Sequence, residues 1–192
     1  MHVLLNNKTP INLSLLLLIF FSRVAYPFIE TGVKVNGAEI VLLGDHYVLN
    51  ADIEYLLSDK VKEALNNGVS LFWTYQFKIK QRYDYFWDET LIEKTVRYRI
   101  QYHVLLKMYR VTNESNGAVD NFSSLQSALD LLSTLRGYRL IGKANISDNK
   151  SYIAAVRINF DRDALPLPLR PMAYLNPEWY LSSDWFVWSL KK

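Results

Sequence analysis

The chain contains no cysteine. That excludes a disulfide framework, thiol catalysis, iron–sulfur clusters and cysteine-ligated zinc together. Histidine is scarce, with three in 192 residues, and seven glycines are too few for a collagen-like or low-complexity chain. Neither GxGxxG nor GxxxxGK(S/T) occurs, so the glycine-rich phosphate cradles are missing, and there is no GxSxG nucleophile elbow. Charge of one sign is also missing. The 22 Lys and Arg nearly balance 19 Asp and Glu, and a net +3 gives no reason to expect a nucleic-acid partner. What remains is apolar and aromatic. Half the residues are hydrophobic and 27 are rings (five Trp, 13 Tyr and nine Phe), which excludes intrinsic disorder. A chain of this length normally forms one domain, or at most two small ones, burying roughly 70% of its unfolded surface.

The first 25 residues stand apart. Met1–Thr9 is polar with Lys8, and Ile11–Phe21 is almost wholly apolar. As a helix, 11 residues would span about 17 Å against the ~30 Å of a bilayer core. This length and the charged start predict a signal peptide and an exported protein. Ala25 can end the signal, but Arg23 occupies a position where cleavage wants a small residue. An uncleaved anchor lengthened by Phe20–Phe28, with Arg23 snorkelling to the interface, is the alternative. Residues 1–25 are therefore read as signal or membrane anchor, and 26–192 as a single exported domain. Removing the first segment takes away Lys8 and Arg23 and no acid, so the net charge falls from +3 to +1.

Period-2 alternation dominates the rest. Tyr47, Leu49, Ala51, Ile53, Tyr55 and Leu57 share one face of an extended segment. Leu71, Trp73, Tyr75, Phe77 and Ile79 form a second, opposite Thr74, Gln76, Lys78 and Lys80. Val96, Tyr98, Ile100, Tyr102 and Val104 oppose Arg97, Arg99, Gln101 and His103. Tyr152, Ala154, Val156, Ile158 and Phe160 oppose Arg157, Asn159 and Asp161. Such strands suit an antiparallel sheet with one wet face. Val33–Leu43 is a further strand, turned by Gly44-Asp45 into the next. Residues 107–112 and 184–190 read as short strands, and because nothing at Leu105-Leu106 marks a turn, Val96–Val111 is also compatible with one long bent strand. Two helices interrupt the pattern. Ser58 caps a short one through Val61, Ala64 and Leu65 that stops at Asn67-Gly68; Ser123 and Gln126, at capping-box spacing, start another that Gly137 closes. Four of six prolines lie between 166 and 177 and suggest an extended connection packed on the core. The fold expected is mainly β, a β-rich α+β domain: a single antiparallel sandwich or half-barrel of about seven strands with two short helices inserted.

Chemistry is sparse. The sequence offers no catalytic constellation, no metal-ligand spacing and no cofactor motif. Binding candidates come from rings and charges instead. Residues 72–87 hold eight aromatics and 174–188 hold six. In the first, Tyr85, Trp87, Asp88 and Glu89 mix rings with acids, as carbohydrate sites do, although Asp88 and Glu89 point to opposite faces of a strand and cannot alone supply a glycosidase pair. In the second, Trp185 and Trp188 fall on opposite faces of a strand that must be central or covered, with Asp184 anchoring the loop that enters it. Arg97, Arg99 and His103 share a polar strand face that can hold an anion or simply be solvated.

Several of these segments have a familiar order. Tyr47-Val-Leu-Asn-Ala51, Tyr85-Phe-Trp-Asp-Glu89, Tyr98-Arg-Ile, Phe122-Ser-Ser-Leu125, Leu165-Pro and Leu181-Ser-Ser-Asp-Trp185 make the chain resemble a bacterial family catalogued as domain of unknown function 4390, some of whose members are labelled proline-rich signal peptide proteins. The resemblance implies a Gram-negative protein that is exported, periplasmic or attached to the inner membrane, often encoded beside a sensor histidine kinase. It transfers no functional residue. The expectation is a non-enzymatic binding module with an envelope protein or the sensor kinase as partner, touching membrane only through its N-terminal segment. The alternative is an envelope glycan binder or glycan-acting enzyme using residues 82–89.

Overall fold

The computed structural model describes residues 31–83 and 88–190. Nine strands make two antiparallel sheets: β1 (Gly32–Leu43), β2 (His46–Leu56), β3 (Leu71–Arg82), β4 (Glu89–His103), β5 (Met108–Asn113), β6 (Val119–Phe122), β7 (Thr134–Gly142), β8 (Ser151–Phe160) and β9 (Phe186–Ser189). One sheet runs β1-β2-β7, the other β6-β5-β4-β3-β8-β9. This is a β-rich α+β fold, with the two sheets face to face and neither closed into a barrel. Between the described strands lie α1 (Asp59–Asn66), α2 (Leu125–Ser133) and α3 (Arg170–Leu175). Among the described residues, no helix is long and apolar enough to cross a membrane.

The alternating faces become the core. Leu71, Trp73, Tyr75, Phe77 and Ile79 of β3 are each at most 2% exposed and meet Leu49, Ile53 and Tyr55 of β2. Ring contacts fix the relative register of the two layers. Tyr55 stands edge-on to Trp73 at 5.2 Å near one end, and Phe77 meets Tyr138 of β7 at 4.9 Å further along. The Trp73 indole N–H donates to the Leu181 carbonyl at 3.0 Å, tying the C-terminal loop to the central strand. At mid-core, Tyr75 donates to the Leu132 carbonyl at 2.7 Å, which leaves its oxygen to accept the Tyr55 hydroxyl. Burial pushes both phenols well above the ordinary tyrosine range.

Three strands cannot cover six, and the helices fill the difference. Ser58 caps α1 by accepting the Val61 N–H at 3.2 Å, and Val61 and Leu65 go fully into the core. Helix α2 closes the β5–β6 side with Ala128, Leu129 and Leu132 buried. Its cap is Ser124, which accepts the Ser127 N–H at 3.1 Å, and not Ser123; Gln126 instead bonds Asp130. The helix also stops at Ser133, four residues before Gly137. Gly137 sits at φ +64° where the β2–β7 register slips, and its N–H is held by the Asn50 side chain at 3.0 Å. That bulge sets Leu135 and Tyr138 three apart, which imitates helical spacing in a strand.

Three further expectations are corrected. Val96–Val111 is a hairpin, not a bent strand: β4 and β5 pair from Tyr98–Asn113 to His103–Met108 around Val104–Lys107. No glycine or asparagine makes this turn. Lys107 takes the left-handed position itself, at φ +51°. The proline segment is not extended either. It folds into short helical turns (Leu167–Leu169, α3 and Pro177–Trp179), each with proline at its first or second position, where a missing N–H costs nothing. Leu165 and Ala173 pack inward, but Leu167 and Met172 point to solvent.

The last strand is not central: Phe186 and Trp188 pack against the core from one side, and Val187 is exposed on the other. β9 is the edge of the six-stranded sheet, four residues long, pairing Ile153–Val156 of β8. Beyond it, Ser183 and Ser182 replace strand backbone with side chains. Their hydroxyls accept the Ile158 and Phe160 N–H groups at 2.9 Å each, and the Ser183 N–H donates to the Ile158 carbonyl. Asp184 is exposed and contributes its backbone carbonyl, to the Ser183 hydroxyl. Ser183→Ala is expected to lower stability by about 2 kcal/mol, because it strands a buried N–H, with Ser182→Ala costing less at its wetter position. Urea unfolding of both variants at unchanged m value checks the order.

Candidate functional site

The wide sheet has two unlike faces. Its inner face is core, while its outer face carries the polar halves of the alternating strands, and among the described residues both α1 and α2 bury their apolar sides inward and leave it open. Register assembles this outer face. Gln76 of β3 lies opposite Arg157 of β8 and Thr95 of β4, Thr74 opposite Arg97, and Phe72 opposite Arg99; Gln101 of β4 faces Arg110 of β5. Lys78 and Lys80 continue the β3 row.

Eight cationic or ring groups are thereby brought onto one surface. Arg97 binds Asp161 at 2.8 Å and lies over the Phe72 ring, 4.6 Å from its centroid. Arg99 pairs with Glu114 at 3.0 Å and Lys78 with Glu93 at 3.0 Å. Three cations have no acidic partner among the described residues. Arg157 is held by Gln76 through two hydrogen bonds of 2.7 and 3.1 Å, Arg110 by Asn121 at 3.0 Å, and Lys80 completes the set. Trp185 closes the surface at the β9 side. Arg157 stacks on its ring at 4.7 Å and the Lys78 ammonium approaches at 5.2 Å, so the indole is flanked by two positive charges. Guanidinium groups clamped this way stay extended and aligned, which lowers the entropy lost when they meet a carboxylate or phosphate.

The candidates from sequence separate accordingly. Arg97, Arg99 and Trp185 belong to this face. β4 is an interior strand, so its row of like charge does not guard an edge. His103 ends the same row; its Nε2 is buried and unpartnered, as is Arg97 Nε. Trp188 points the other way, opposite Ala154, with Phe186 at 5.7 Å. Asp88 and Glu89 are exposed at the far end of β4, where Glu89 accepts the Tyr83 hydroxyl at 3.1 Å. Tyr85 and Trp87 lie outside the described residues. Lys78, Lys80, Arg110 and Arg157 were missed as site residues although alternation had put Lys78, Lys80 and Arg157 on polar strand faces; pairing order, absent from a single sequence, is what joins them. Among the described residues there is no group of three or more His, Asp or Glu placed to hold a metal ion.

A two-sheet α+β domain with an open polar face is the class the geometry defines. Residues 30–189 match the family described as Domain of unknown function (DUF4390), and the chain belongs to it. No curated protein and no solved structure matches the chain.

Proposed function

We propose that the protein is an exported, non-enzymatic interaction module of the Gram-negative envelope, accessory to a membrane sensor histidine kinase, that binds an acidic surface of its partner with the outer face of the six-stranded sheet. The observation that carries this reading is the unbalanced charge of that face: Lys80, Arg110 and Arg157 have no acidic partner among the described residues, and Arg157 is pre-oriented by Gln76 and Trp185. The chain as a whole is nearly neutral, so this excess is a local property and not spill-over from a basic protein. Cations fixed on a sheet steer an acidic partner and set its register, more than they add raw affinity.

The test is site-specific photo-crosslinking from Val187, beside Trp185, in membranes with the kinase gene present or deleted. A kinase adduct is expected that falls at least tenfold in Lys80→Glu/Arg110→Glu and in 0.5 M salt. An adduct that ignores both changes, or none with folded protein, overturns the reading.

A further inference from the structure

One end of the sandwich is unusually apolar. The β4–β5 turn exposes Val104, Leu105 and Leu106, with Leu105 98% accessible; the proline segment exposes Leu167, Met172 and Leu175 at 73%, 50% and 81%. The same end gathers them. The Tyr109 hydroxyl, beside the turn, donates to Asn66 at the close of α1, and Lys60 of α1 pairs with Glu178 after α3. The turn projects beyond the sheet: Ile100 is the partner of Leu71, the first residue of β3, so Val104 lies roughly 13 Å further out at ~3.3 Å per residue. Arg162 is held between Tyr174 and Tyr180, at 5.3 and 4.9 Å from their centroids, and both rings are about half exposed. Amphipathic rings and a cation beside aliphatic side chains are the composition of a membrane–water interface.

The described chain also enters β1 at this end. Gly32 opens β1 opposite Leu56, with its Cα facing the Tyr180 carbonyl. Ten residues, 22–31, separate it from the apolar run Ile11–Phe21 and can span at most ~35 Å. The other exposed aliphatic turn, Leu42-Leu43, is 11 residue steps away along β1, about 36 Å. If Leu42-Leu43 touched the bilayer, residues 22–31 would have to bridge the whole strand length fully stretched. The end at Gly32 needs no such extension.

From these placements we propose that the Val104–Lys107 turn and the proline segment form a lipid-contacting surface that seats this end of the domain on the bilayer. The proposal rests on the alternative in which the N-terminal segment is an uncleaved membrane anchor, and adds to it a second, structured contact. Lys107 and Arg162 lie at the headgroups while Leu105, Leu167 and Leu175 enter the acyl boundary. The outer face of the wide sheet then stands away from the bilayer plane, turned towards neighbouring envelope proteins.

A chain without cysteine makes the test direct. Single spin labels are placed on the full chain at Leu105→Cys, Leu175→Cys and, as the opposite-end control, Leu43→Cys, all at exposed positions. The proteins are mixed with vesicles of phosphatidylethanolamine and phosphatidylglycerol, floated, and measured for collision with oxygen and with a water-soluble nickel chelate. The expected result is a shift of at least threefold in the oxygen-to-nickel ratio at 105 and 175, and none at 43. Flotation with all three labels in water overturns the surface but leaves the membrane segment standing, and shielding at 43 overturns it likewise. Failure to float overturns both.

Discussion

Trp73→Ala is expected to leave the domain largely unfolded at 37 °C. The indole is completely buried, edge-on to Tyr55 and 5.4 Å from Phe160. Truncating such a ring costs about 3–5 kcal/mol through lost burial and the cavity left behind. A second loss accompanies it, because the Leu181 carbonyl gives up the indole N–H in a site water does not reach, worth about 1–3 kcal/mol. Together these approach the whole stability of an ordinary domain, about 5–15 kcal/mol. Trp73→Phe separates the two: it keeps most of the volume, loses the N–H, and is expected to fold with a loss of about 2 kcal/mol. Circular dichroism during urea unfolding measures both. A cooperative Trp73→Ala transition within about 2 kcal/mol of the parent would show that the centre of the sandwich is less tightly packed than its contacts indicate.

The second large effect is alkaline. Tyr55 and Tyr75 hold their protons far more tightly when folded, chiefly because burial excludes water; Tyr55 raises Tyr75 further, while the bond to Tyr75 offsets only part of the rise at Tyr55. The unfolded chain releases them near the ordinary tyrosine value of about 10. Below that pH both states keep the protons and these groups add no pH dependence. Above it the unfolded state binds fewer protons, so stability falls by about 1.4 kcal/mol per pH unit for each tyrosine, close to 3 kcal/mol for the two. Half-buried Tyr98 and Tyr138, also raised by desolvation, steepen the decline. Cooperative unfolding is therefore expected between about pH 10 and 12. Tyr75→Phe should reduce the slope by one tyrosine while lowering neutral stability by about 2–3 kcal/mol, since it leaves both the Leu132 carbonyl and the Tyr55 hydroxyl without a partner. Stability measured by urea titration from pH 7 to 11.5 gives both quantities, and a flat profile through pH 11 would contradict the buried pair.

Both results concern residues whose burial alternation already indicated. β3 is legible because one face is core along its whole length, and the same holds for β2 and β8. The strands that sequence misses are those where that rule lapses. β6 is a short edge with three of four residues exposed, so it carries no alternation. β7 alternates out of phase across the Gly137 bulge and passes for the end of a helix. The hairpin at Val104–Lys107 is hidden for the opposite reason: its residues are the apolar ones normally reserved for strand interiors. The aromatic-dense segments proved mixed, with Trp73, Tyr75, Phe77 and Trp179 in the core and Trp185 on the outer face. Ring density records where bulk is needed, and only the partners of each ring separate packing from recognition. The cationic face was half legible. Each row was visible in its own strand, but the order β4-β3-β8-β9 that sets the rows side by side depends on long-range pairing.

The hydroxyls of Ser182 and Ser183 have a consequence for how the chain behaves in company. Where β9 ends, the N–H groups of Ile158 and Phe160 would otherwise be open to another polypeptide, and hydrogen-bonded side chains occupy them. The sheet is self-terminating along this stretch, with no template for a second molecule to extend it. Protein newly folded in a crowded compartment, without a single covalent cross-link to enforce its shape, is thereby shielded at this edge from the stacking that leads to fibrils.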